Sequence, residues 1–106
     1  MSKDNAKEKL VEFLDRKAFD PVLNARPDRY PDNQKPKLEH VQRSTRSEKE
    51  RFHHYGSAKE VVDMFKDDLN SEPAKKVHRE LRDLGLPTLN DVRDEFEQLA
   101  EKLGVD

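Results

Sequence analysis

Apolar residues along this chain recur at the three- and four-residue spacing of an α-helix, most clearly between residues 86 and 103. In that stretch the apolar positions are separated by three, four, three and four residues: Leu89, Val92, Phe96, Leu99 and Leu103. This spacing puts all of them on one side of a helix. Thr88 before them suits an N-cap, and Gly104 after them suits a C′ position. The pattern predicts a surface helix over residues 89–103 with one buried face.

Four other segments show the same periodicity: residues 5–18, 36–54, 58–69 and 73–84. Helix start and stop residues separate them. Ser57 opens a capping box of the S-x-x-E kind, Ser71 caps a helix with Pro73 in its first turn, and Gly85 follows the last leucine of that helix. The alternation of a half-buried strand is absent. The sequence therefore predicts one all-α domain over residues 1–106, an irregular bundle of four to five short helices.

Residues 26–36 interrupt this pattern with a proline-rich segment. Pro27, Pro31 and Pro36 are spaced so that no regular element fits between them, which predicts a loop of about ten residues. Pro36 also suits the first turn of the next helix. A loop of this length is either a contact surface or a connection. We favour a connection packed against the body by Tyr30.

The amino-acid composition indicates how large the hydrophobic core can be and in which cellular compartment the protein is expected. Hydrophobic residues make up 32% of the chain and charged residues 42%, which favours a thin core under a densely charged surface. The chain has no cysteine, so disulfides, thiolate nucleophiles and thiolate metal sites are excluded. No signal peptide and no run of eighteen apolar residues is found. We expect a cytoplasmic protein that does not bind or span a membrane.

The residue types used in catalysis and metal binding do not form a recognisable motif. His53 and His54 are adjacent and would point about 100° apart on a helix. His40 and His78 are distant in sequence, and the chain's glycines are placed as helix terminators rather than in a phosphate-binding loop. We expect no catalytic residue, no metal and no cofactor. A small enzyme or metal-binding protein is the least favoured alternative, and it would require a concave pocket with convergent polar groups.

Charge is distributed unevenly along the chain. Residues 35–54 carry six basic and three acidic side chains, a net of +3, whereas residues 55–106 carry eight basic and thirteen acidic ones, a net of −5. In the basic helix, Thr45 and Glu48 occupy positions of the apolar stripe between Val41 and Phe52. This polar middle either crosses solvent or meets a polar partner.

The polar middle of that helix and the proline-rich loop are the predicted contact surfaces for another protein. The expected function is a small non-catalytic interaction or regulatory module. Candidate partner-binding residues lie on the basic helix, at its end or in the loop: Arg43, Arg46, Arg51, His53, His54, Tyr55 and Tyr30.

Nucleic-acid binding through the basic helix 35–54 is the main alternative to a protein partner. Pairing of this helix with the acidic C-terminal half explains the same charge asymmetry and is favoured over it. A helix-turn-helix over residues 75–103 is excluded, because its recognition helix would be acidic and repelled by phosphate.

Overall fold

The computed structural model describes the backbone of residues 3–105 and the side chains of residues 5–105. Helical structure accounts for 83% of it and no strand occurs in that range, which confirms the all-α prediction. The α-helices are α1 (Lys3–Leu14), α2 (Asp20–Leu23), α3 (Lys35–His54), α4 (Ala58–Asn70), α5 (Glu72–Asp83) and α6 (Arg93–Lys102). None of the helices within residues 3–105 combines the length and apolar character needed to cross a lipid bilayer.

The first helical segment is continuous, whereas the sequence predicts a helix over residues 5–18 followed by a short extra turn that carries Val22 and Leu23 inward. A π-helical turn, Asp15–Phe19, joins α1 to α2, so the helix runs unbroken from residue 3 to residue 23, and Val22 is buried in the extra turn. A π-helical turn carries more residues than an α-helical one and so shifts the phase of the side chains that follow. The neighbours Ala18 and Phe19 are both buried there. A 3.6-residue pattern contains no sign of such a turn.

The proline-rich loop is more regular than predicted. It contains two short 3₁₀ turns, Pro27–Arg29 and Asp32–Gln34. Proline fixes φ near the value that a 3₁₀ turn requires, so its spacing excludes long helices but not these turns. Pro36 lies in the first turn of α3, as predicted. The Tyr30 hydroxyl donates a hydrogen bond of 2.9 Å to the carbonyl of Leu84, so the loop is tethered to the end of α5.

Most predicted helix boundaries are formed by the expected residues. The Ser57 and Ser71 hydroxyls each accept a hydrogen bond from the backbone N–H three residues later. The Glu60 carboxylate accepts from the Gly56 N–H at 3.2 Å instead of from the Ser57 N–H, so only the serine half of the predicted capping box forms. Gly85 and Gly104 adopt φ values of +71° and +76°, the left-handed conformation that glycine tolerates best. Gly56 follows the end of α3, as predicted, but its φ is not positive. That helix closes at Tyr55 in an extended conformation.

Thr88 caps the C-terminal helical segment, which begins with a 3₁₀ turn, Leu89–Val92, and not with α-helix as predicted. Its hydroxyl accepts from the Asp91 N–H at 3.4 Å, and its own N–H donates to the Asp91 carboxylate at 2.9 Å. We expect Thr88→Ala to lower the free energy of unfolding by about 1 kcal/mol, because it removes this cap. Urea denaturation followed by circular dichroism measures the loss. Thr88→Ser keeps the hydroxyl, so an equal loss in that variant would contradict a capping role.

The buried side chains form two hydrophobic clusters, and α3 passes from one to the other. The first core lies among α1, the π-helical turn, α4 and α6, and there the rings of Phe65 and Phe96 stack with centroids 4.0 Å apart. Phe52 of α3 belongs to this core. The second core joins α2, α3 and α5 through Val22, Leu38, Val41, Leu81 and Leu84. The polar middle of α3 therefore lies between the two cores.

Candidate functional site: a polar cleft between the two cores

A cleft of about 510 Å³ opens beside the polar middle of α3. Its other walls come from the π-helical turn, most of α5 and the segment before α6, with single residues from α2 and α4. The apolar part of the lining includes Phe19, Val22, Val77, Leu81 and Leu89. The polar part includes Ser44, Thr45, Ser47, Glu48, Asp68 and His78. The volume and the mixed lining are typical of sites that bind a small molecule or a side chain.

Two carboxyl groups and one guanidinium form a charged cluster in the cleft. Glu48 lies within hydrogen-bonding reach of Asp68 on α4. Nη2 of Arg51 is 3.0 Å from Oδ2 of Asp68 and 3.6 Å from Oε2 of Glu48. The Asp68 side chain is 10% exposed and the Glu48 side chain 21% exposed. Arg51 thus partly neutralises a pair of carboxyls that is largely removed from water.

Glu48 holds a proton at neutral pH. Burial, together with the hydrogen bond and the charge of Asp68, raises the pKa of Glu48 from its ordinary value of 4.5 to about 9, and Arg51 opposes this shift. Two neighbouring carboxyls out of water cannot both ionise easily, so the pair shares one proton. The raised pKa has a structural cause: Glu48 lies on the buried side of α3 and faces Asp68 on α4.

Two other polar side chains in the cleft have no partner. Thr45 of α3 and His78 of α5 are both more than nine-tenths buried. Neither side chain makes a hydrogen bond to another residue that the structure describes. Burial lowers the pKa of His78 below 6.5, so its imidazole is neutral at pH 7. Because buried polar groups normally find partners, both offer hydrogen bonds to a molecule in the cleft.

The three arginines among the predicted partner-binding residues differ in position. Arg43 and Arg51 line the cleft. Arg43 is largely exposed and pairs with Glu39 one turn earlier, at 3.1 Å. Arg46 is exposed, lies outside the cleft lining and forms no ion pair within the described chain. The cleft therefore contains two of the three arginines.

The predicted histidines lie away from the cleft, at the end of α3. Nε2 of His53 is 2.7 Å from Oδ2 of Asp15 in the π-helical turn, and His54 is exposed. Across residues 5–105 no three histidine, aspartate or glutamate side chains are grouped so that they could hold a metal ion. The His53–Asp15 contact instead fastens the end of α3 to the first helical segment.

The predicted tyrosines also lie outside the cleft, and both pack against the protein. Tyr30 tethers the proline-rich loop, as described above. The Tyr55 ring contacts Phe52 edge-on, with centroids 5.2 Å apart, and its buried hydroxyl has no hydrogen-bond partner in the described structure. These contacts give both tyrosines a packing role.

Most basic side chains of α3 are paired with carboxylates. The pairs toward α4 and α5 are Lys37–Asp83 at 3.3 Å and Arg51–Asp68 at 3.0 Å. A further pair, Lys49–Asp20 at 2.7 Å, points to α2. Some basic residues of α3 thus pair with carboxylates of the acidic C-terminal half, and others pair with carboxylates of the first helical segment. Paired charges leave less positive potential for a phosphate backbone.

Asp68 and His78 are site residues that the sequence interpretation missed. Asp68 continues the apolar stripe of Val61 and Phe65 on α4, and His78 precedes Leu81 by three residues on α5. A polar residue on an apolar stripe is the same signal that Thr45 and Glu48 give on α3. That signal could have identified both.

Comparisons of the chain with protein-family models, with curated proteins and with solved structures give no match. The functional argument therefore depends on the geometry and electrostatics of the cleft.

Proposed function

We propose that this protein is a small non-catalytic interaction module, and that a partner protein docks over the polar middle of α3 with one segment inside the cleft. The observation that carries the proposal is the cleft itself, a gap of about 510 Å³ between two hydrophobic cores. Thr45 and His78 line this gap, and neither side chain hydrogen-bonds another described residue, so their polar groups are available to a ligand in the cleft. A docked segment that supplies those hydrogen bonds would be bound more tightly.

Exposed charge beside the cleft supports the same docking surface. Arg43 at the rim and Arg46 one turn further along are both exposed on α3. Rim charges of this kind steer association and select partners more than they add affinity. A cytoplasmic location is part of the proposal, and the chain has no disulfide that a reducing compartment would break.

Site-specific photo-crosslinking tests the proposal. A benzoylphenylalanine at Ser44, in the cleft lining, is expected to capture a discrete partner from cell extract, whereas one at the exposed Glu12 on α1 is not. Val77→Trp should abolish capture because the indole fills the cleft. Arg43→Glu and Arg46→Glu should weaken capture, most strongly at low salt.

Arg51 is left unchanged in this experiment because its substitution would leave Asp68 without a counter-charge. Circular dichroism shows whether the Val77→Trp variant is folded. Equal capture from Ser44 and Glu12, or capture that survives a folded Val77→Trp variant, would remove the cleft as the docking surface.

A small enzyme is the second candidate. General acids in enzymes are often carboxyl groups that lie in a cleft and keep their proton at neutral pH, as the raised pKa of Glu48 indicates here. Nucleophilic catalysis is less well supported. Neither Ser44 nor Ser47 hydrogen-bonds a histidine or carboxylate in the described chain. Turnover of chromogenic ester, glycoside or phosphate substrates that disappears in Glu48→Gln would favour the enzyme over the interaction module.

A further inference from the structure

We infer that the cleft receives a cationic side chain of the partner, the ammonium of a lysine or the guanidinium of an arginine, with the Glu48 and Asp68 carboxyls as its counter-charges. The inference rests on the proposed interaction function and adds the chemistry of the segment that enters. The ion-pair geometry, the unpartnered polar groups and the apolar lining support it separately.

The charges of the cleft favour a cation over an anion. Asp68 has Arg51 at 3.0 Å, whereas the nearest approach of Arg51 to Glu48 is the longer one of 3.6 Å. A protonated Glu48, an ionised Asp68 and Arg51 sum to zero, and the other cleft arginine, Arg43, is paired with Glu39 at 3.1 Å. A bound cation that displaces the Glu48 proton keeps this sum, whereas an anion would lie against two carboxyls.

The unpartnered polar groups select a hydrogen-bond donor. The neutral imidazole of His78 and the hydroxyl of Thr45 can each accept a hydrogen bond, as can the carboxyl oxygens. An ammonium has three N–H donors and a guanidinium has five. An apolar side chain would fill the same volume but leave Thr45 and His78 unsatisfied.

The apolar lining fits the rest of such a side chain. Lysine and arginine bury a stem of methylene groups while their charged end reaches polar groups. Phe19, Val77 and Leu81 line the cleft and provide an apolar surface for that stem. A metal ion does not fit, since no three potential ligands are grouped to hold one within residues 5–105.

Binding of the cation is coupled to the proton on Glu48. The charged and titratable groups that interact with Glu48 are Arg51 and Tyr55 on α3 and Asp68 on α4, and His78 on α5 lines the same cleft beside Asp68. When the cation binds, Glu48 changes from carboxylic acid to carboxylate and its proton passes to solvent. Affinity is then expected to rise about tenfold per pH unit between about pH 7 and 8.5. His78 is already neutral in this range and adds nothing to the slope.

Titration of the full chain with capped amino acids, followed by ¹⁵N-resolved NMR, tests the inference. The probes are Nα-acetyl-lysine amide and Nα-acetyl-arginine amide, with Nα-acetyl-norleucine amide as the neutral control. Lysine or arginine should shift the amide signals around Glu48 and His78 and bind at least tenfold more tightly than norleucine. Glu48→Gln should weaken binding at least tenfold and remove its pH dependence. Glu50→Gln, exposed on the same helix, should change neither.

Equal affinity for the norleucine probe, or the absence of binding by both charged probes, would overturn the inference. Binding without pH dependence would overturn the displacement of the Glu48 proton. A partner captured by photo-crosslinking that does not compete with the lysine or arginine probe would overturn the inference while the interaction function stands. Charged probes that bind when no partner is captured would instead overturn the interaction function and indicate a free amine as the ligand.

Discussion

Replacing Phe52 with alanine is expected to lower the free energy of unfolding by about 3–5 kcal/mol. The Phe52 side chain is fully buried, and its ring centroid lies 5.7 Å from that of Phe19 and 5.2 Å from that of Tyr55. Alanine would leave a cavity where α3 joins the first core. A domain of this size has a total stability of about 5–15 kcal/mol, so the variant would lose a large share of it.

Urea unfolding monitored by circular dichroism measures this loss. Arg46→Ala on the exposed face of α3 is the matched control and should change the free energy of unfolding by less than about 0.5 kcal/mol. Phe52→Leu retains most of the apolar volume and should fall between the two. A loss below about 1 kcal/mol for Phe52→Ala would contradict the role of this ring in joining α3 to the first core.

Helical periodicity was sufficient to predict most of the fold, because burial on one side of a helix leaves a direct pattern in the sequence. Phe52, Phe65 and Phe96 lie on such stripes, and all three are buried. The π-helical turn Asp15–Phe19 could not be predicted in this way. The extra residue of this turn is stabilised because Ala18 and Phe19 are buried against other helices. This is a tertiary effect, so the spacing of apolar residues along the chain does not predict it.

The cleft was only partly predictable for a related reason. The polar positions on α3, Thr45 and Glu48, could be identified from the sequence as an interruption of the apolar stripe. That Asp68 and His78 face the same gap depends on how α4 and α5 pack against the rest of the protein. The shifted pKa of Glu48 arises from that packing, because burial and Asp68 are its main causes. Its consequences have to be measured on the folded protein.

Relative to the wild type, Glu48→Gln is expected to gain about 4 kcal/mol of stability between pH 5 and pH 8. Below pH 4.5 Glu48 is protonated in both the folded and the unfolded chain, so its proton does not affect stability. As the pH rises from 4.5 to about 9, the unfolded chain releases this proton while the folded chain retains it. The free energy of unfolding therefore falls with pH in this window. Glutamine cannot ionise, so the variant lacks this decline.

The difference between the wild-type and Glu48→Gln stability curves, measured by urea unfolding from pH 5 to 9, isolates this effect. His78 has a lowered pKa and destabilises the folded state as the pH falls below 6.5, but it does so in both proteins and cancels. Glu50→Gln controls for the loss of an exposed carboxylate from α3. Curves that stay parallel over the whole range would mean that Glu48 is ionised in the folded cleft. Its charge would then be balanced by Arg51 and not by a proton.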